Sequence, residues 1–217
     1  MRGFVLRLLR VGHPIQRAHA LNARVVLAEG GLGGADDLLA GVAATNDPDL
    51  AILLHRGQLV SGALLPPIDS YRLLQDVKTL ALRLERQQQN ARELIEFLSE
   101  RPEVEKIFYA GSSSEEQAEV QSRQARGIGS VFSLLLKDGG DAQAFARALP
   151  IFVNAVSLGG IESLVSLPAH TTHGAYAQEH RDEFGVDDRL VRLAIGIEDV
   201  QALIAALEIG LKAAFAG

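Results

Sequence analysis

The clearest pattern in the chain lies between Leu74 and Leu98. Leu74, Val77, Ala81, Leu84, Gln88, Ala91, Ile95 and Leu98 recur at three- and four-residue intervals, which places them on one stripe of a helix. Only Gln88 interrupts the apolar run. Asp69 or Ser70 supplies an N-cap, and Pro102 ends the element. A helix of about 30 residues is well above the usual length. The pattern therefore predicts a helix that bridges two domains or bends at Gln87-Gln88-Gln89. A coiled coil is the weaker alternative, because the stripe is interrupted and lacks alternating flanking charges.

Beyond Pro102 the periods alternate. Val104 to Tyr109 reads as a strand, Ser114 to Gln124 as a polar helix and Ser130 to Leu136 as a strand. Asp141 to Leu149 reads as a helix, Leu190 to Ile195 as a strand and Val200 to Phe215 as a final amphipathic helix. This alternation predicts a small sheet with helices on one face. Before the long helix, Ala23 to Leu27 and Leu38 to Ala44 read as short apolar strands, separated by a turn at Gly30 to Gly34. Asn46-Asp47-Pro48 closes the second strand, and Pro66-Pro67 marks the domain boundary.

Composition narrows the classes. The 217 residues suffice for one large domain or one and a half small ones. A net charge of −6 argues against a general nucleic-acid surface. With no cysteine there are no disulfides, thiolate metal sites or cysteine nucleophile, which fits a cytoplasmic protein. No acidic residue precedes Glu29, whereas Arg2, Arg7, Arg10, Arg17 and Arg24 do. Met1 to Val11 reads as a buried strand or helix edged by arginines, with a targeting peptide or membrane-surface helix as the alternative. The apolar runs are too short to span a bilayer.

Few residues stand out as candidates for chemistry. Arg192 is a polar position inside an apolar strand, so its guanidinium needs a partner: an ion pair with Glu198 or Asp199, or a bound carboxylate. His170, His173 and His180 with Glu179 show no defined metal spacing, and no metal site is expected. Gly30-Gly31-Leu32-Gly33-Gly34 lacks the lysine of a phosphate-binding P-loop.

Three segments are more specific together than apart. They are Ser157-Leu158-Gly159-Gly160-Ile161-Glu162-Ser163-Leu164, then Pro168-Ala169-His170-Thr171-Thr172-His173, then Val191 to Val200. Gly62 to Tyr71, Val77-Lys78-Thr79-Leu80 with Arg83 and Asn90-Ala91, and Val104 to Gly111 precede them in order. In this order and spacing the chain resembles the Cys/Met-metabolism family of pyridoxal-phosphate (PLP) enzymes, which includes cystathionine synthases and lyases. The resemblance implies an α/β fold: residues 1–66 as the remnant of a type I PLP-enzyme large domain, and residues 67–217 as a long bridging helix plus a small α/β C-terminal domain. It implies a substrate site of Arg192, Ser157, Leu158 and Thr172, with Arg192 clamping an amino-acid carboxylate.

The departures from the family carry equal weight. The family's Schiff-base lysine falls at Gly30, and no acid stands in the Pro14 region where the family's pyridinium aspartate belongs. Ser112-Ser113-Ser114-Glu115 replaces a Leu-Pro-Ser-His-Pro stretch. A full member is almost twice as long. The resemblance therefore implies a truncated, catalytically degenerate homologue with no cofactor-binding residue, acting as a homo-oligomer or as a partner of a full-length homologue. Two alternatives stay open: a PLP-dependent C–S lyase or synthase completed by a second chain, and a PLP-independent carboxylate binder or enzyme. No nucleic-acid or membrane partner is expected.

Overall fold

The computed structural model describes residues 5–9, 24–27, 34 and 39–216. The chain divides into two units, Met1–Ala81 and Leu82–Gly217. Gly30, the Pro14 region and Asp36-Asp37 lie outside the described residues.

In the first unit, strands β1 (Val5–Leu9), β2 (Arg24–Leu27) and β3 (Gly41–Thr45) form an antiparallel sheet in the order β1-β3-β2. Val5 pairs with Thr45 and Arg24 with Ala44. The basic start of the chain is thus a strand over Val5–Leu9. Gly34 adopts φ 85°, the left-handed conformation that a glycine turn permits. Helix α1 (Pro48–Ser61) follows at once, where the sequence pattern gave no helix. The residues that close β3 also open this helix. Asp47 accepts from the backbone N–H of Asp49 at 2.9 Å and of Leu50 at 3.1 Å, and Pro48 occupies the first turn, where its missing N–H costs nothing. Gly62, at φ 67°, ends it.

The single long helix expected after Pro66 is two helices. Helix α2 (Pro67–Asp76) and helix α3 (Leu80–Ser99) are joined by a 3₁₀ turn over Val77–Thr79, and the break falls there rather than at the glutamine run. The backbone stays right-handed through Val77, so the change is in hydrogen bonding. The Thr79 hydroxyl donates to the Asp76 carbonyl oxygen at 3.1 Å, a local bond that competes with the regular helical ladder. The N-cap is Pro66, without a side-chain bond, and not Asp69 or Ser70.

The second unit carries a mixed five-stranded sheet in the order β4-β5-β8-β7-β6. Its strands are β4 (Val104–Phe108), β5 (Val131–Leu136), β6 (Val153–Asn154), β7 (Leu164–Ser166) and β8 (Leu190–Ala194). All neighbours are antiparallel except β6 and β7. Helices α4 (Glu115–Gln124), α5 (Ala142–Ala148), α6 (Gln178–Glu183) and α7 (Val200–Ala214) complete it. Ser114, Asp141 and Asp199 cap α4, α5 and α7 through their side-chain oxygens.

One core cluster joins sheet and helices. Phe132, Leu134 and Leu136 of β5, Val191 and Leu193 of β8 and Val165 of β7 pack with Leu94 and Leu98 of α3, Phe145 of α5 and Leu203, Leu207 and Leu211 of α7. Each such side chain contributes roughly 1.5–3 kcal/mol on burial. Gly210 lets α7 approach α5: a Cβ there would lie 2.7 Å from Leu149 Cδ2. At the far end of the sheet Arg189 gathers three carboxylates, Asp187 at 2.8 Å, Asp138 at 2.6 Å and Glu105 at 3.0 Å. Its hydrogen bond holds the Asp187 carboxyl below the usual carboxylate range.

Candidate functional site

Strand alternation fixes where Arg192 stands. Val191 and Leu193 join the helix-facing core, so Arg192 belongs to the opposite sheet face. Its cross-strand partners are Ser133 on β5 and Ser166 on β7, which places two hydroxyl residues beside it in one row. Ser166 is buried.

Arg192 Nη1 donates to the Ser157 carbonyl oxygen at 3.3 Å. The expected alternative, an ion pair with Glu198 or Asp199, does not form. Glu198 instead accepts from the Ser163 N–H at 2.5 Å and the Ser163 hydroxyl at 2.8 Å, and Asp199 caps α7. Among the described residues Arg192 has no carboxylate partner. One bond to a neutral carbonyl leaves most of the guanidinium fork uncommitted, which suits a bidentate carboxylate ligand.

The loop that carries Ser157 and Leu158 runs between β6 and β7, and α3 pins it. Gln87 Nε2 donates to the Gly160 carbonyl oxygen at 2.5 Å. Asn90 Nδ2 donates to the carbonyl oxygens of Gly196 at 3.2 Å and Glu198 at 2.9 Å, and Arg86 Nη2 reaches Glu198 O at 3.3 Å. Gly196 N–H donates to the Ser163 hydroxyl at 2.9 Å. No Cβ fits at Gly196, since one would collide with the Ile161 carbonyl oxygen and lie 2.7 Å from Glu162 C. This polar layer holds the Ser157 turn and the end of β8 against one helix.

Sequence reasoning passed over Gln87, Ser163 and Gly196 as working parts, and offered Glu198 only as an ion-pair partner of Arg192. The usable signal was the spacing of Arg83, Gln87 and Asn90, which repeats at four and three residues and continues into Leu94 and Leu98. That is the buried face of α3, whereas Leu74, Val77 and Leu84 of the expected stripe are exposed.

The remaining expected site residues are placed differently. Leu158 is exposed, next to Ser157. Thr172 follows a 3₁₀ turn over Pro168–His170, and its hydroxyl hydrogen-bonds His173 Nδ1 at 2.8 Å. His173 also contacts the rings of Tyr176 and Phe184, at 5.8 and 6.2 Å between centroids. Among the described residues no three His, Asp or Glu side chains converge as metal ligands, and no helix is long and apolar enough to cross a membrane.

A PLP Schiff base needs a lysine amine opening onto the substrate. All four lysines are described, and all are exposed. Lys78 Nζ donates to Gln75 Oε1 at 2.7 Å, Lys106 lies 4.9 Å from the Phe108 ring centroid, Lys137 follows β5 and Lys212 stands in the last turn of α7. These residues do not fit a covalently held PLP.

Comparison with known proteins gives the context of this geometry. The chain is 38% identical over 191 residues to the cystathionine gamma-lyase of Bacillus subtilis (strain 168), covering 87% of this chain and 50% of that one. It is 41% identical over 204 residues to the L-methionine gamma-lyase of Pseudomonas deceptionensis, covering 92% and 51%. The solved cystathionine gamma-lyase from Lactobacillus plantarum complexed with L-serine superimposes with a TM-score of 0.83 at 34% identity, over 89% of this chain and 51% of that one. The chain thus spans about half the length of the relatives it matches. The Cys/Met metabolism PLP-dependent enzyme family matches residues 13–212, and with these relatives it establishes that the chain belongs to that family.

Proposed function

We propose that this chain is a catalytically degenerate member of the transsulfuration enzymes, serving as a binding or assembly partner with Arg192 as its carboxylate clamp. The observation that carries the proposal is the pairing of an uncommitted guanidinium at Arg192 with four lysines that are all on the surface. The first feature supports recognition of an amino acid, and the second argues against Schiff-base chemistry on it. The glycine at position 30, where the family's lysine belongs, supports the same reading.

In this proposal residues 1–66 belong to the cofactor domain, and residues 67–217 form the ligand-presenting part. Ser157 orients Arg192 through its carbonyl oxygen, and Leu158 and Thr172 border the ligand. A full-length homologue or a second copy of this chain is the partner, in the cytoplasm. The Lactobacillus plantarum relative complexed with L-serine makes L-serine a suitable first probe.

The test combines spectroscopy and binding. The purified chain with added PLP is expected to keep the free-PLP spectrum and to show no mass increase after borohydride. L-Serine is expected to raise the melting temperature, and Arg192→Ala to abolish that rise. A borohydride-fixed adduct on one lysine, or turnover of cystathionine once a second chain is added, would overturn the degenerate reading. Stabilisation that persists in Arg192→Ala would remove the clamp.

A further inference from the structure

A second polar recess lies apart from Arg192, at the β6 edge beside α5. It is an open recess of about 230 Å³, lined by the exposed Gln143 and Arg147 of α5, Asn154 of β6, and His170 and Thr171 beyond β7. Ala146 and Leu167 give it an apolar floor. These two belong to the helix-side core cluster, whereas Arg192 stands on the opposite sheet face, so the recess and the Arg192 site are separate.

Its charge runs against that of the chain. Acidic residues outnumber Lys and Arg by 27 to 21, yet no Asp or Glu lines this recess. Arg147 has no carboxylate partner among the described residues. It donates instead to Gln143 Oε1. The amide of Gln143 then meets His170 Nε2 at 3.3 Å. With its oxygen occupied by Arg147, the Gln143 amide presents its NH₂ to the imidazole, so His170 accepts there through Nε2. A guanidinium, an amide and an imidazole are thereby held in one chain by contacts between α5 and the segment after β7. The order gives donors on one wall and an apolar floor below, and a small ligand bearing an oxyanion matches both.

We propose that this recess is a second binding site for a small anionic metabolite, carboxylate or phosphate, held chiefly by Arg147 with the amides of Gln143 and Asn154 as further donors, His170 serving as the acceptor that orients the Gln143 amide. Occupancy cross-links α5 to the segment beyond β7, so the ligand stabilises the second unit.

The test uses the full chain in an Arg192→Ala background, so that binding at the other arginine cannot contribute. Amide and side-chain NMR shifts are followed while inorganic phosphate or succinate is added. Saturable shifts at the Arg147 guanidinium, Gln143, Asn154 and His170 are expected for at least one of the two. Phosphate alone would identify a phosphorylated ligand and succinate alone a carboxylate. In Arg147→Ala the affinity is expected to fall at least tenfold, and Arg147→Lys should recover part of it. No saturable shift with either anion, or equal affinity in Arg147→Ala, would overturn the proposal. Loss of L-serine binding in Arg192→Ala alone bears only on the first site, so the two readings fail separately.

Discussion

In the second unit the large apolar side chains are sealed between sheet and helices, and Phe145, Leu94, Leu134 and Leu207 are fully buried. In the first unit the described helices turn theirs outward. Ile52, Leu53, Leu59 and Val60 of α1 and Ile68, Tyr71 and Leu74 of α2 are all exposed, Val60 to 89%. The described buried apolar residues there are Ala40, Val42, Ala43, Leu50, Ala51 and Leu73, of which Ala40, Val42 and Leu73 form one cluster with Leu65 beside them. One unit closes its core with its own layers. Among its described residues the other leaves these apolar side chains of α1 and α2 exposed. Among the described residues, the sealed apolar core lies after Leu82.

The largest effects should come from breaking the sealed core. Phe145→Ala is expected to cost about 3–5 kcal/mol, read by denaturant unfolding, whereas Ile52→Ala should change stability by no more than about 0.5 kcal/mol. Equal losses would dissolve the contrast between the units. Gly210→Ala should cost about 1–3 kcal/mol, because its Cβ would press on Leu149 and Phe145 where α7 meets α5. A comparable cost for Gly57→Ala, whose Cβ would meet open space on α1, would erase the distinction.

Gln87→Leu leaves the Gly160 carbonyl oxygen without its donor, and a loss of about 1–3 kcal/mol is expected. It should also weaken L-serine binding, since the Ser157 turn is no longer pinned. The smallest effect concerns acid. Asp187 has its folded pKa lowered below 3.8, chiefly by the Arg189 hydrogen bond, so its contribution is present above that pH and lost as pH falls through the folded value. Asp187→Asn should lower the melting temperature at pH 7, and the gap should close on acidification below pH 3.8.

What the sequence disclosed follows the same division. Strands β5 and β8 and helix α7 were readable because alternation and the helical period report a core on one side. The Leu74–Leu84 half of the expected stripe misled for a physical reason. The buried face of α3 begins with Arg83, Gln87 and Asn90, and the burial of Gln87 and Asn90 is supported by carbonyl oxygens brought in from distant loops. Polar burial of that kind leaves no apolar trace. Two-residue β6 and three-residue β7 are too short for a period to show. Arg192 was visible as a polar residue in an apolar strand. Its partner is the backbone oxygen of Ser157, which side-chain reasoning could not single out.

The pins on the Ser157 turn also set an order of assembly. Gln87 and Gly160 stand 73 residues apart, and Asn90 and Gly196 stand 106 apart. Closing loops of that length carries an entropic penalty that only an existing sheet and helix can offset. The parallel β6–β7 pair, whose connection contains the turn, forms under the same constraint. The Ser157 loop is thus expected to be the last part of the second unit to become native on refolding and the first to open. Hydrogen exchange at Ser163 and Gly196 should run ahead of exchange in β5 and β8, so the geometry around Arg192 settles only after the sheet has formed.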